Sequence, residues 1–356
     1  MLKDFWSDMP TDSEWIFYRL NLVILKYTET HVRINFQFSL AVATCAVALG
    51  AVAPGTAVAS EGETFGGPIG GTDMRSAYIP WNSGWYMGTV VAGGFANRDY
   101  GDNDKPIPGV TAQGYSWVGA LGLSYVYPFK IFGGSVSSGG QLGYYAGRFK
   151  INGTFDSFRD LGDSYVQLLG WSKYIGPIGG EKPSTASSLP YGLTVKAAYS
   201  MIFPIGNYTP NKDITIGHNV YFFIPNFAFT YLTRPNFLGD GLEFSSAMFF
   251  DFASKNNHTN YSTGLVGDID FAVTERMGNW QAGLAGYYAQ QWQQDIQNGM
   301  PVAPNGKKLF TLALGPVVAY DIPKWHASVK LKVTLPVAQG NGLNTTRVIL
   351  IFNKAL

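Results

Sequence analysis

The chain reads as an all-β protein, a closed antiparallel transmembrane β-barrel of about twelve strands. Three observations lead there. First, residues 191–203 alternate strictly. Tyr191, Leu193, Val195, Ala197, Tyr199, Met201 and Phe203 share one face, and Gly192, Thr194, Lys196, Ala198, Ser200 and Ile202 share the other. A period of two is a strand period. The run is longer than the roughly five or six residues of an ordinary strand and long enough for the about nine to eleven that cross a bilayer at a tilt. Second, the pattern recurs along the second half of the chain. Third, only 14% of the 356 residues are charged while 15% are aromatic, with 43 glycines and a mean hydropathy of +0.02. An average soluble domain is about 25% charged, and a helical membrane protein would be far more apolar. Low charge with near-zero hydropathy fits a molecule apolar outside and polar inside. In lipid such a sheet has to close, because an open edge leaves backbone groups unsatisfied.

The elements follow in chain order. Residues 1–59 read as a precursor leader. An uncharged Ala/Val/Leu-rich run, 36–53, follows Arg33, and Ala57-Val58-Ala59 is a small-x-small site that predicts cleavage after Ala59. The stretch before it is too long for a signal peptide, which suggests that residues 1–31 are a misassigned start and that translation begins at Val32. Residues 60–83 are a Gly-rich lead-in, either a plug that enters the barrel or a periplasmic tail. Residues 84–356 are the barrel, with strands expected at 84–97, 114–129, 140–152, 164–175, 191–203, 219–232, 241–254, 260–275, 280–292, 308–321, 325–337 and 345–353. Ten to fourteen strands fit the same pattern, and an even number is the rule for bacterial barrels. Turn-rich connections are expected at 99–109, 176–190, 207–218, 297–307 and 339–344, and shorter ones at 234–240 and 276–279.

Charges identify the inner faces. A Lys on the lipid face near midplane costs about 2–4 kcal/mol, so charges belong inside. That rule turns inward Lys196, Glu243, Asp251, Asp268, Asp270 and the set His326, Lys330 and Lys332. Asp268 and Asp270, two apart on one strand, are either a cation or selectivity site or a solvated wall. The mixed signs speak against a strongly ion-selective pore. Tyr191, Trp280, Trp292 and Trp325 fall near strand ends, where an interfacial girdle would place them. Two strands, 219–232 and 308–321, are apolar on both faces. Either the lumen has an apolar wall there or something packs inside.

Chemistry is sparse. Cys45 is the single cysteine and lies in the leader; His31 is lost with it, and His218, His258 and His326 lack ligand spacing. No metal site and no cofactor are expected, and no nucleophile elbow or phosphate loop is present. The net charge of +1 offers nothing to nucleic acid. A lipid-active outer-membrane enzyme would need a Ser–His pair, and only His258 near Ser262 and His326 near Ser328 come close.

Several blocks in order carry a family resemblance. They are Tyr199 through Tyr208 (YSMIFPIGNY), Asp240 through Gly264 (DGLEFSSAMFFDFASKNNHTNYSTG), Gly286 through Gln291 (GYYAQQ) with Asp295, and Leu314-Gly315-Pro316. From about Trp85 onward the chain resembles the family of the MetA pathway of phenol degradation, or SphA-like outer-membrane proteins. The resemblance implies a Gram-negative outer-membrane barrel for passive uptake of small hydrophobic or aromatic compounds. Its expected partners are outer-membrane lipid, such a solute and the barrel-assembly machinery, and it is expected to be a monomer. A structural or adhesive barrel without transport is the alternative beside the lipid-active enzyme. One departure stands out: the chain ends in Leu356 rather than in the aromatic residue usual for these barrels, although Phe352 keeps phase with it.

Overall fold

The structure is a computed structural model that describes residues 61–62, 64–102, 104–177, 191–210, 215–303 and 305–356. The leader, its cleavage site, the start at Val32, Cys45 and most of the 176–190 connection lie outside the described residues.

The strands are β1 (Gly84–Tyr100), β2 (Ala112–Ile131), β3 (Gly134–Ile151), β4 (Thr154–Leu161), β5 (Ser164–Gly176), β6 (Gly192–Phe203), β7 (Phe222–Leu232), β8 (Gly241–Ala253), β9 (Tyr261–Ser262), β10 (Val266–Met277), β11 (Trp280–Gln291), β12 (Ile296–Gln297), β13 (Met300–Pro301), β14 (Phe310–Ile322), β15 (Ala327–Gly340) and β16 (Gly342–Ala355). Twelve of them close the barrel in the order β1-β2-β3-β5-β6-β7-β8-β10-β11-β14-β15-β16 and back to β1. Each neighbour in this ring is antiparallel, and the seam between first and last strands runs from Tyr86↔Ala355 to Tyr100↔Gly342. β9, β12 and β13 form a small separate sheet.

Alternation decides the two faces. On the outside, Val91, Phe227, Leu284 and Leu335 are all at least half exposed, as lipid contact requires. Their neighbours in sequence point inward and are buried: Val90, Ala92, Ala228, Ala285 and Thr334. Trp280 and Trp325 stand exposed at the strand ends. Most turns at one end are short: Phe132 and Gly133, residues 233–240, Gly278 and Asn279, and the 3-10 turn Pro323–Trp325. Connections at the other end are mostly long, at 101–111, 204–221, 254–265 and 292–309. Short periplasmic turns and long extracellular loops are the habit of such barrels, so β1 starts and β16 ends on the periplasmic side.

Several local expectations need correction. Thr154–Leu161 is a strand, not a connection: β4 pairs with β3 from Tyr144↔Leu161 to Ile151↔Thr154. A break at Gly162 and Asp163 then leads into β5. The strand expected at 260–275 is split. Gly264 donates its N–H to Asp295 Oδ1 (2.8 Å) and leaves the ladder, so β9 and β10 belong to different sheets. The connection expected at 339–344 shrinks to Asn341, whose φ of 46° makes a tight hairpin between β15 and β16.

Candidate functional site: a lumen threaded by the N-terminal segment

Residues 64–79, the strap, run inside the barrel, and the exposed residues 80–83 lead from it into β1. At the extracellular end Glu61 accepts hydrogen bonds from Tyr208 Oη (3.1 Å), Asn256 Nδ2 (2.8 Å) and the Thr259 hydroxyl, all on long loops. Burial pushes the Glu61 carboxyl up, against the pull of Tyr208 and Asn256. Nearby, Asp295 accepts from Tyr261 Oη (2.6 Å) and Gln291 Nε2 (2.6 Å), and its carboxyl is likewise raised by burial.

Downward from there the strap meets one inward carboxylate after another. The N–H groups of Gly66 and Gly67 donate to Asp251 Oδ2 at 2.7 and 3.0 Å. Gly70 N–H donates to Asp270 Oδ1 (2.6 Å), and Thr72 donates both its N–H and its hydroxyl to Asp270 Oδ2, each at 2.8 Å. Asp73, fully buried, accepts from Lys330 Nζ (2.6 Å) and from Lys332 Nζ. Arg75 forks onto Asp321 (2.7 and 2.9 Å), reaches Gln281 with Nε (2.8 Å), and donates its backbone N–H to Glu243 Oε1 (2.8 Å). Arg276 Nη2 holds the other Glu243 oxygen at 2.6 Å. Below this, Ser76 bonds Ser245, Ala77 N–H donates to Thr230 Oγ1 (3.2 Å), and Ser172 Oγ donates to the Ala77 carbonyl.

Apolar residues of the strap cover the apolar inner wall. Ala77 is part of one buried cluster that runs along the wall through Ala228, Ala247, Phe249, Ile224, Phe222 and Val220. Phe65 and Ile69 pack with Tyr287, Ala289, Leu309 and Ala313, and Met74 with Ala285, Val317 and Ala319. The two strands that are apolar on both faces therefore have an occupant on their inner side. Glycine is needed where the strap comes closest: a Cβ on Gly67 would overlap the Asp268 carboxylate, and one on Gly66 would press on Phe222.

The inward residues expected from alternation are distributed as follows. Glu243, Asp251, Asp268, Asp270 and Lys332 are buried, and Lys330 is partly buried. All but Asp268 touch the strap through a hydrogen bond, and neither Asp268 oxygen has a hydrogen-bond partner among the described residues. Lys196 points inward from β6, apart from this chain of bonds, on the wall of a cavity of about 490 Å³. His326 is a correction. It is exposed in the turn before β15, with φ 48° and its N–H on the Pro323 carbonyl (3.1 Å). The left-handed residue breaks the phase that would have aligned it with Lys330 and Lys332. Among the described residues no hydrogen bond joins His258 to Ser262 or His326 to Ser328, and no group of three or more His, Cys, Asp or Glu is arranged to hold a metal. Asp73, Arg75, Arg276 and Asp321 escaped the sequence reading. The lead-in has no period to follow; the available signal was its own Asp and Arg opposite a lumen with charges of both signs.

Between the strap and the β1-β2-β3-β5-β6 wall lies the 490 Å³ cavity, lined by Tyr78, Ile79, Tyr86, Gln141, Tyr165 and Lys196 among others. On the outside of the same wall is a groove of about 540 Å³ between Trp85, Tyr125, Tyr127 and Leu168. Cavity and groove share Leu123, Gly139, Gly140 and Gln167. The ladder is irregular here: the β3–β5 register shifts between Ser137 and Gly139, and the β5–β6 register between Gln167 and Leu169.

A closed antiparallel ring of strands, apolar outside and charged within, defines a Gram-negative outer-membrane β-barrel. A family model described as "Putative MetA-pathway of phenol degradation" matches residues 96–352, and the chain belongs to that family. Its fold is similar to that of the COG4313 outer membrane channel from Pseudomonas putida F1, with a TM-score of 0.61 and 13% identity over 81% of this chain and 98% of that one. The transport unit of the autotransporter AIDA-I from Escherichia coli aligns with a TM-score of 0.44 and 9% identity over 79% of this chain and 94% of that one. No curated protein sequence matches the chain.

Proposed function

We propose that the protein is an outer-membrane channel for passive uptake of small hydrophobic or aromatic compounds, and that it performs no covalent chemistry. One observation carries the reading. The strap fills the lumen along its height, and the space left beside it is a cavity that abuts the lipid-facing groove across a glycine-thinned, irregularly paired wall. A wide water-filled pore suits hydrophilic solutes. A narrow residual cavity walled by Ile79 of the strap, the adjoining Pro80 and aromatic rings suits a molecule that leaves water on entry, since each Å² of apolar surface buried contributes about 25 cal/mol. The wall between Gly139 and Leu168 is the natural side exit into the membrane. Membership of a phenol-degradation family and the fold of an outer-membrane channel both support this reading.

Two measurements test it. The refolded protein in a planar bilayer should give only a small conductance, reduced by phenolic solutes. A strain lacking the gene should take up toluene or phenol more slowly, with recovery on complementation. Unchanged uptake of every aromatic compound tested would leave a structural barrel as the better description.

A further inference from the structure

The cavity beside the strap holds a group that a purely apolar cargo does not require. Lys196 points inward from β6 between Thr194 and Ala198, beside Ser172 and Ala228 on the neighbouring strands. Among the described residues it makes no ion pair and no hydrogen bond. Four other inward basic side chains of the lumen lie on carboxylates. Lys330 and Lys332 lie on Asp73, Arg276 on Glu243 and Arg75 on Asp321; Arg347, away from this cavity, lies 5.2 Å from the Tyr287 ring centroid, with its Nη1 unpartnered among the described residues. The inward carboxylates Glu243, Asp251, Asp268 and Asp270 stand on β8 and β10, and the cavity lining includes no Asp or Glu. A charge partly withdrawn from water is better placed where something pairs with it. Lys196 is partly exposed to the cavity and faces no carboxylate across it, so an anion entering that space meets an unpaired ammonium.

We propose that this cavity is a binding site for a small organic anion, an aromatic or short aliphatic monocarboxylate. The carboxylate meets the Lys196 ammonium. The hydrocarbon body lies along Ile79, Pro80, Val126 and the Tyr86 and Tyr165 rings. The volume of about 490 Å³ falls within the roughly 300–1,000 Å³ of small-molecule sites. The proposal rests on the channel reading and narrows it, from aromatic solutes in general to those carrying one negative charge.

The test is a calorimetric titration of the refolded protein in non-ionic detergent with benzoate and with its neutral isostere benzamide. Wild type, Lys196→Met and Lys196→Arg are compared, each first shown folded by its heat-modifiable gel mobility. Wild type should bind benzoate at least about tenfold more tightly than benzamide, the scale of one charge-assisted hydrogen bond. Lys196→Met should lose that preference and Lys196→Arg should keep most of it. Equal affinities in wild type, a preference that survives in Lys196→Met, or binding of neither compound overturns the anion site. The channel reading is judged separately, by uptake of neutral aromatics in the deletion strain. Dependence of that uptake on the protein, together with no benzoate preference, would retain the channel and discard the anion.

Discussion

Asp73 is the strap's fully buried carboxylate. It receives two lysines from one strand, and all three side chains are largely withdrawn from water. Removing one partner of a buried ion pair typically costs about 3–5 kcal/mol, because the charge left behind is unpaired. Asp73→Ala leaves two such charges. The expected result is a barrel that still inserts but whose strap detaches, read as larger and noisier single-channel currents. Currents indistinguishable from wild type would show that Lys330 and Lys332 do not hold the strap. Gly67→Ala should act in the same direction from the opposite wall, since its Cβ has no room beside Asp268. At this scale the sequence was readable wherever a strand kept its phase. The direction of Glu243, Asp251, Asp268 and Asp270 follows from alternation and the cost of charge in lipid. Their attachments do not, because hydrogen bonds spanning 168 to 200 residues of chain leave no periodic trace. His326 shows the limit: one residue with positive φ ends the phase, and alternation counted through it assigns the wrong side.

At the scale of the element, the informative strands are those that depart from regular pairing. β4 was missed because its two phenylalanines, Phe155 and Phe158, are out of phase, one exposed and the other buried against Phe149. A run of eight residues with that pattern reads as a loop. The break at Gly264 was hidden for the opposite reason, since alternation continues across it while the backbone turns to Asp295. The β3–β5 junction is where irregularity has the clearest consequence for transport. Gly139 faces the lumen, and a Cβ there would come within 2.8 Å of Ser124 Cβ. Gly139→Val should overpack the wall, at about 1–3 kcal/mol, and narrow the side exit. The expected phenotype is slower uptake of neutral aromatics with normal heat-modifiable mobility. Normal uptake would place the exit elsewhere on the barrel.

For the whole molecule, the barrel class and the twelve-strand ring were legible in composition and period, since lipid enforces both. The choice between plug and tail was not, because the lead-in gives no sign of its environment except its glycines. Deleting residues 64–79 tests the strap as a unit. The barrel should still form, since every barrel ladder is built from residues 84–355. It should melt at a lower temperature, as Asp251, Asp270, Lys330 and Lys332 lose their partners, and conduct several-fold more current than wild type. A deletion that neither raises conductance nor lowers stability would mean the strap does not occupy the lumen in the membrane. The strap also constrains how the protein is made. It descends from the extracellular loops to the periplasmic end and reverses into β1, which pairs with β16 to seal the ring. A chain already inside a hoop cannot be threaded after the hoop is sewn shut without passing end-first through it. The strap therefore has two routes in: end-first through the mouth of a closed ring, or held in place while β1 and β16 pair around it.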